Sequence, residues 1–248
     1  MLLALRNDQS EVSVAATGRV SEDLPVIKEI LDGLDEPKPN YYRDPWWGEP
    51  CSDEAIDALA NEYGELPQDV IEFYKITNIA TFGSFEDMAD PLVAIELRGY
   101  LEAICDPLNY PPMYEDGQPK GDGLLPMSLE HDRGCLIELG GPDHGRVINF
   151  PADIEYGFYR TMAWSLGDAV ACIRDLYEFG WFQDLGDPTD FFYKTNQSRP
   201  PFGTTEYGLA ELAKIQPIID KWNCDPVIAT FNSPYRYNPE RPTRPRTT

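Results

Sequence analysis

Few residue types in this chain are placed to do chemistry. It holds two histidines, His131 in the run EHDRG and His144 in PDHGR. Neither sits in HExxH spacing or close to a suitable cysteine set, so no zinc hydrolase centre is offered. The five cysteines, Cys51, Cys105, Cys135, Cys172 and Cys224, form no CxxC pair. An odd, widely spaced set argues against a disulfide framework. Cys135 and Cys172 lie in apolar runs and read as small core residues. Pairing Cys135 with His131 as thiolate and base would need a geometry that spacing does not supply. No nucleophile elbow, P-loop or dinucleotide fingerprint occurs. Gly140-Gly141 leads into Pro142-Asp143, an acidic loop ill suited to cradling phosphate.

Carboxylates are abundant, with 43 acidic residues. A glycosidase would need two of them held roughly 5 to 10 Å apart in a cleft, which a one-dimensional pattern cannot express. Asp87, Asp90, Glu115 and Asp116 lack the DxDxDG order of a calcium loop. The acidic runs read as solvated faces, and the chain as a non-enzyme that needs no cofactor and no metal. A carboxylate-dependent hydrolase of unrecognised type is the minority reading.

The densest acidic stretch is also the best-formed pair of elements. From Ser52 to Asn78, Ile56, Leu59, Ala60 and Tyr63 fall on one helical face. Ser52 or Asp53 can cap that helix, and Gly64 supplies its positive-φ stop. Leu66-Pro67 restarts the chain, since proline loses nothing at a first helical position. Val70, Ile71, Phe73 and Tyr74 then face inward on a second helix ending near Asn78. Outward positions are acidic: Asp53, Glu54, Asp57, Glu62, Glu65, Asp69 and Glu72. No Lys or Arg lies between Arg43 and Lys75.

An acidic helix, a Leu-Pro pair, a second helix reading DVIEFYKITN and a strand-rich sequel resemble the opening of the SMI1/KNR4 family, or SUKH superfamily. Leu125-Pro126, a strand at Gly134–Leu139, a tight loop, a strand at Val147–Phe150 and a closing amphipathic helix extend the resemblance. It covers roughly Trp46 to Phe182 and departs at Ile79-Ala80, where family members often carry glycines. It implies an α+β fold with N-terminal helices, a mostly antiparallel sheet and a packed helix, to which the residues beyond Phe182 add a C-terminal helical extension. It also implies a protein-binding module, either a fungal-type regulator or a bacterial immunity protein that neutralises a nuclease or deaminase toxin.

Composition narrows the partners. The hydrophobic fraction of 42% supports a packed core, while a net charge of −23 and a pI near 4.3 set the electrostatics. Phosphate backbones and anionic membranes repel such a chain, whereas a basic protein is drawn to it. No run reaches the roughly 20 apolar residues of a membrane span. The opening MLLALRNDQ is too short for a secretory core, so the cytoplasm is the expected compartment.

Elsewhere, Asp23 reads as a helix cap with Pro25 in the first turn and Val26, Ile27, Ile30, Leu31 and Leu34 as the apolar face. The run EPKPNYYRDPWWGEP is too proline-rich for regular structure, and its Trp46 and Trp47 are candidate contact aromatics. Residues 80 to 91 read as an acidic loop, 92 to 97 as a strand, and 106 to 123 as an insertion loop. GGPDHGR has the chemistry to turn a hairpin. Tyr156, Phe158 and Tyr159 suggest a further strand. Ser165 opens a helix with Asp168 three residues on; Val170, Ile173, Leu176 and Tyr177 form its stripe and Gly180 its end. Thr204 or Thr205 caps a last helix carrying Leu209, Leu212 and Ile215, which Pro217 should kink or end before Ile218, Ile219 and Trp222 dock.

These elements divide the chain into an N-terminal extension with one helix (1–45), an SMI1/KNR4-like domain (46–182), a C-terminal extension packing on it (183–235) and a disordered basic tail (236–248). The tail carries four arginines against one glutamate, a formal +3. The long flanks favour a regulatory or scaffold protein over a compact inhibitor. The expected contact set is Asp53, Asp57, Glu62, Glu65, Asp69, Trp46 and Trp47, facing a basic protein.

Overall fold

A computed structural model describes residues 15–33, 47–80, 91, 123–127, 133–151, 160–179 and 206–224. Among them, five helices and one four-stranded antiparallel sheet give a mixed α and β architecture. The helices are α1 (Val20–Asp32), α2 (Asp53–Tyr63), α3 (Gln68–Ile76), α4 (Leu166–Phe179) and α5 (Glu206–Trp222). The strands are β1 (Leu124–Pro126), β2 (Arg133–Glu138), β3 (Val147–Pro151) and β4 (Arg160–Ala163), paired in chain order.

Helix α4 is the hub. Leu166, Val170, Cys172, Ile173, Leu176 and Tyr177 are buried together with Arg174, so little of its circumference meets solvent. A helix can be buried on this scale only if several elements cover it. α1 and α5 both pack on it, α3 touches it, and β4 supports it from the sheet. Val20, Leu24 and Ile27 of α1 belong to the same apolar cluster as Leu59, Phe73, Val170 and Ile219. The core therefore runs continuously from the first described helix to the last, across the boundaries drawn from sequence at 45 and 182.

Strands β1 to β4 align Leu125, Ile137, Val147 and Ala163 in one cross-strand row. All four are buried members of the central cluster. The opposite face carries Leu124, Leu136 and Ile148, also buried, which is why these strands read as near-continuous apolar runs without clean alternation. Between Val147 and Ile148 the register slips and Met162 on β4 is left over as a bulge. The β2–β3 hairpin forms where the sequence places it. Its connection is a 3-10 turn at Gly141–Asp143, with Gly140 at φ 82° and Gly141 at φ 66°.

The helical pair follows the expected spacing closely. The Ser52 hydroxyl accepts a hydrogen bond from the Ala55 amide at 3.3 Å, and Gly64 at φ 109° closes α2 by donating to the Ala60 carbonyl at 2.8 Å. Such a cap contributes about 1 kcal/mol. Pro67 stands just before α3, one residue outside the position expected, and Val70, Phe73 and Tyr74 are buried beyond it. The segment entering α2 hooks over the end of α3. Cys51 donates to the Tyr74 carbonyl and Gly48 to that of Ile79, while Asn78 donates to Glu49. Trp47 and Ala80 form an isolated antiparallel bridge there. Where the resembling family often has glycines, this chain buries Ile79 and Ala80.

Two local expectations are corrected. Helix α1 starts at Val20, so Asp23 lies inside it and does not cap it; Pro25 lies beyond the first turn as well. Pro217 neither ends nor divides α5, which is helical from Glu206 to Trp222 with Pro217 exposed and Ile215 and Ile219 buried. A carbonyl freed by proline on a wet face can be satisfied by water. The last described strand is Arg160–Ala163, and the expected strand at Tyr156, Phe158 and Tyr159 falls just before it. That stretch lies outside the described residues, as do Leu34, Trp46, Gly180, Thr204, Thr205, His131, Cys105, the 92–97 strand, the acidic residues from Asp87 to Asp116 and the 236–248 tail.

Candidate functional site

The acidic helical pair divides into two groups once the chain is folded. Asp53, Glu54 and Asp57 are exposed on α2, and Glu62 and Glu65 are exposed around the α2–α3 connection. Helix geometry puts Asp53 and Asp57 one turn apart, about 6 Å along the axis. Lys75 approaches Asp53 at 3.8 Å, with the two side chains 57% and 84% exposed. An ion pair that wet contributes little, so it barely masks the acidic surface. Glu54 belongs to the first turn of α2, where its own backbone amide and the Ser52 hydroxyl hold its carboxyl below the usual carboxylate range.

The second group is turned into the structure. Asp69 is half-buried, and its carboxylate accepts from the Gly167 amide at the start of α4 at 3.0 Å. Glu72 accepts from the Ser21 amide in the first turn of α1 at 3.3 Å. Helix α3 thus lends two carboxylates to the otherwise orphan amides of two other helices. The four-residue spacing to buried Phe73 puts Asp69 on the inward side of α3, a signal outweighed by its acidic type. Its carboxylate is occupied by α4. Trp47 is half-buried and packs against the central cluster, so among the described residues the expected contact set reduces to Asp53, Asp57, Glu62 and Glu65.

The start of α4 is tightly packed. Ser165 caps it as expected, its hydroxyl accepting from the Asp168 amide at 3.0 Å. The lead-in to α1 crosses here at Gly18, which has φ 79°, and a side-chain carbon built on Gly18 would meet the Trp222 ring at 3.2 Å. A methyl group on Gly167 would overlap the Gly18 carbonyl oxygen. Burial pushes the Asp168 carboxyl above its ordinary range, and the neighbouring Asp69 carboxylate adds to the rise against the opposing Ser165 hydrogen bond. A raised folded-state value means that ionised Asp168 costs stability at neutral pH, and that the cost disappears as pH falls through that value. Asp168→Asn should therefore raise the melting temperature at pH 7, with the advantage shrinking as pH falls toward about 4 and absent below it. Thermal melts of both proteins across that range check the sign.

Charged clusters that spacing did not reveal tie the helices to one another. Asp23, fully buried on α1, accepts from the Thr17 and Gly18 amides at 3.1 and 2.8 Å and from Arg174 Nη1 at 2.7 Å. Arg174 Nε meanwhile donates to Glu178 at 3.0 Å. Burial would lower the guanidinium, but the bonds to Asp23 and Glu178 outweigh it and hold Arg174 above its ordinary value. On the sheet, Arg146 bonds Glu138 at 2.6 Å, approaches Asp143 at 3.7 Å and lies over the Trp164 ring at 5.7 Å. Asp175 receives both Trp222 Nε1 and Lys221 Nζ at 2.6 Å, clamping α5 to α4. One signal was present: Arg174 interrupts the apolar stripe of its own helix, and Asp23 sits between Val20 and Leu24.

These clusters pair acids with bases in satisfied geometry and have the character of struts. Among the described residues, no group of three or more His, Cys, Asp or Glu side chains could hold a metal ion, and no helix is long and apolar enough to cross a membrane. The chain matches no known protein-family model and none of the curated proteins with which it was compared.

Proposed function

We propose that the chain is a non-enzymatic protein-binding module of SMI1/KNR4 type that acts as an intracellular regulator or scaffold and takes a basic protein partner. The observation that carries the reading is the exposed carboxylate surface of α2 and its exit turn, Asp53, Glu54, Asp57, Glu62 and Glu65. The order of elements supports the fold half of it: helices first, an antiparallel meander, a helix packed on the sheet, and a further helix after it. Such a surface speeds encounter with a basic partner and repels nucleic acid and anionic lipid. An immunity-type inhibitor would use the same carboxylates to stand in for the phosphates that a basic nuclease expects.

The test compares wild type with the triple variant Asp53→Lys, Asp57→Lys, Glu62→Lys as baits in a pulldown read by mass spectrometry. The partner is a protein that wild type retains and an unrelated bait of equal net charge does not. Its association rate should fall about tenfold or more in the variant at low salt, and the gap should close as salt rises. A partner whose binding ignores both salt and charge reversal would overturn the electrostatic reading. Its identity, a toxin enzyme or a signalling protein, separates the two biological roles.

A further inference from the structure

The β2–β3 connection contains a hydrogen bond that a single proton can break. The Gly140 amide donates to Nδ1 of His144 at 2.8 Å across the 3-10 turn. Nδ1 can accept only when it carries no hydrogen, which fixes the imidazole as the neutral Nε2–H form. In the imidazolium both nitrogens carry hydrogen, so an N–H would face the Gly140 N–H and the bond would become a repulsion. Imidazole is the side chain whose charge ordinarily changes between about pH 5 and 8. We propose that His144 is a proton-operated latch that holds the β2–β3 turn closed when neutral and releases it when protonated.

The surroundings give the latch something to move. Three further backbone bonds complete the turn, from Gly145 to the Glu138 carbonyl at 2.8 Å, from Arg146 to the Asp143 carbonyl at 3.0 Å and from Glu138 to the Arg146 carbonyl at 2.9 Å. Gly145 lies against Pro67, to which a side-chain carbon built on it would come within 3.7 Å. The turn therefore abuts the connection between α2 and α3. Among the described residues, the charged groups of the turn and its flank are Asp143, Arg146 and Glu138, and Glu65 stands two positions before Pro67 in that connection. Arg146 already serves both Glu138 and Asp143. His144 itself is exposed, so a proton reaches it without unfolding anything. Protonation also places a positive charge at the border of the acidic surface, and only this last consequence rests on the binding reading.

The experiment uses the free, full-length protein, so its outcome is independent of any partner. Solvent exchange of the Gly140 amide is followed by NMR at pH 7.5 and 5.5, corrected for the intrinsic pH dependence of exchange, with long-range nitrogen correlations reporting the imidazole tautomer. Protection of Gly140 should drop about fivefold at the lower pH, the effect expected from one net hydrogen bond. The carbonyl oxygen of asparagine occupies nearly the place of Nδ1 and does not titrate. His144→Asn should therefore keep Gly140 protected at both pH values, and His144→Phe should leave it unprotected at both. Wild-type protection that does not change with pH, or a pH response that survives in His144→Asn, overturns the proposal.

Discussion

Arg174→Met should cost about 3–5 kcal/mol, the range for removing one partner of a buried ion pair. In a chain of this size that corresponds to a fall of roughly 10 °C in melting temperature. The reason is the charge left behind. Asp23 is fully buried, and without the guanidinium it keeps the Thr17 and Gly18 amides and a long bond from Thr17 Oγ1 at 3.4 Å, none of them charged. Methionine fills much the same volume, so the loss reports the charge and not a cavity. Arg174→Lys should fall between, because one ammonium cannot reproduce a fork that serves Asp23 from Nη1 and Glu178 from Nε. On the arginine side the effect should hold steady between about pH 6 and 9. A folded-state value raised above the unfolded one loses its contribution only as pH climbs through the raised value, far above that window. Calorimetry of the three proteins decides the matter, and a methionine variant within about 0.5 kcal/mol of wild type would remove the strut from the account.

Gly167→Ala carries the second large effect, with a sign opposite to what local propensity suggests. Alanine favours a helix over glycine by about 1 kcal/mol, and Gly167 is the second residue of α4. Yet its added methyl would overlap the backbone carbonyl of Gly18, and backbone cannot rotate away as a flexible side chain can. Gly18 is itself pinned, since its amide donates to Asp23 and the Trp222 ring stands on its other side. Overpacking of this kind costs about 2–3 kcal/mol, enough to reverse the propensity gain. Urea melts would show a lower midpoint with an unchanged slope. A stabilised variant would mean that the two glycines do not meet.

What the sequence made legible was local. The α2–α3 pair follows from three- and four-residue spacing, one hydroxyl cap and one positive-φ glycine, each a property of adjacent residues. The β2–β3 hairpin follows from GGPDHGR in the same way. What stayed hidden depends on residues far apart in the chain. Asp23 before a proline resembles a cap, and only Arg174, 151 positions later, explains why it is buried inside the helix instead. Asp69 and Glu72 look like solvent-facing carboxylates until the starts of α4 and α1 arrive beside them. Pro217 looks like a stop because its sequence does not say which side of the helix is wet. At the candidate site, the exposed carboxylates of α2 were readable by periodicity, while the occupation of Asp69 was not.

The central position of α4 has a kinetic consequence. Helix α1 is made before α4, but the surface that buries Val20, Leu24 and Ile27 is completed by residues 166–179. Closing so long a loop is entropically costly and slows the productive encounter. During translation the part of the α1 stripe that α3 leaves uncovered, and the buried partner of Arg174, must wait exposed until α4 emerges. Nascent chains in that condition are substrates for chaperones and prone to associate with one another. Any truncation that removes α4 makes the wait permanent, so an N-terminal fragment ending before Leu166 inherits the adhesive surface without the element that covers it.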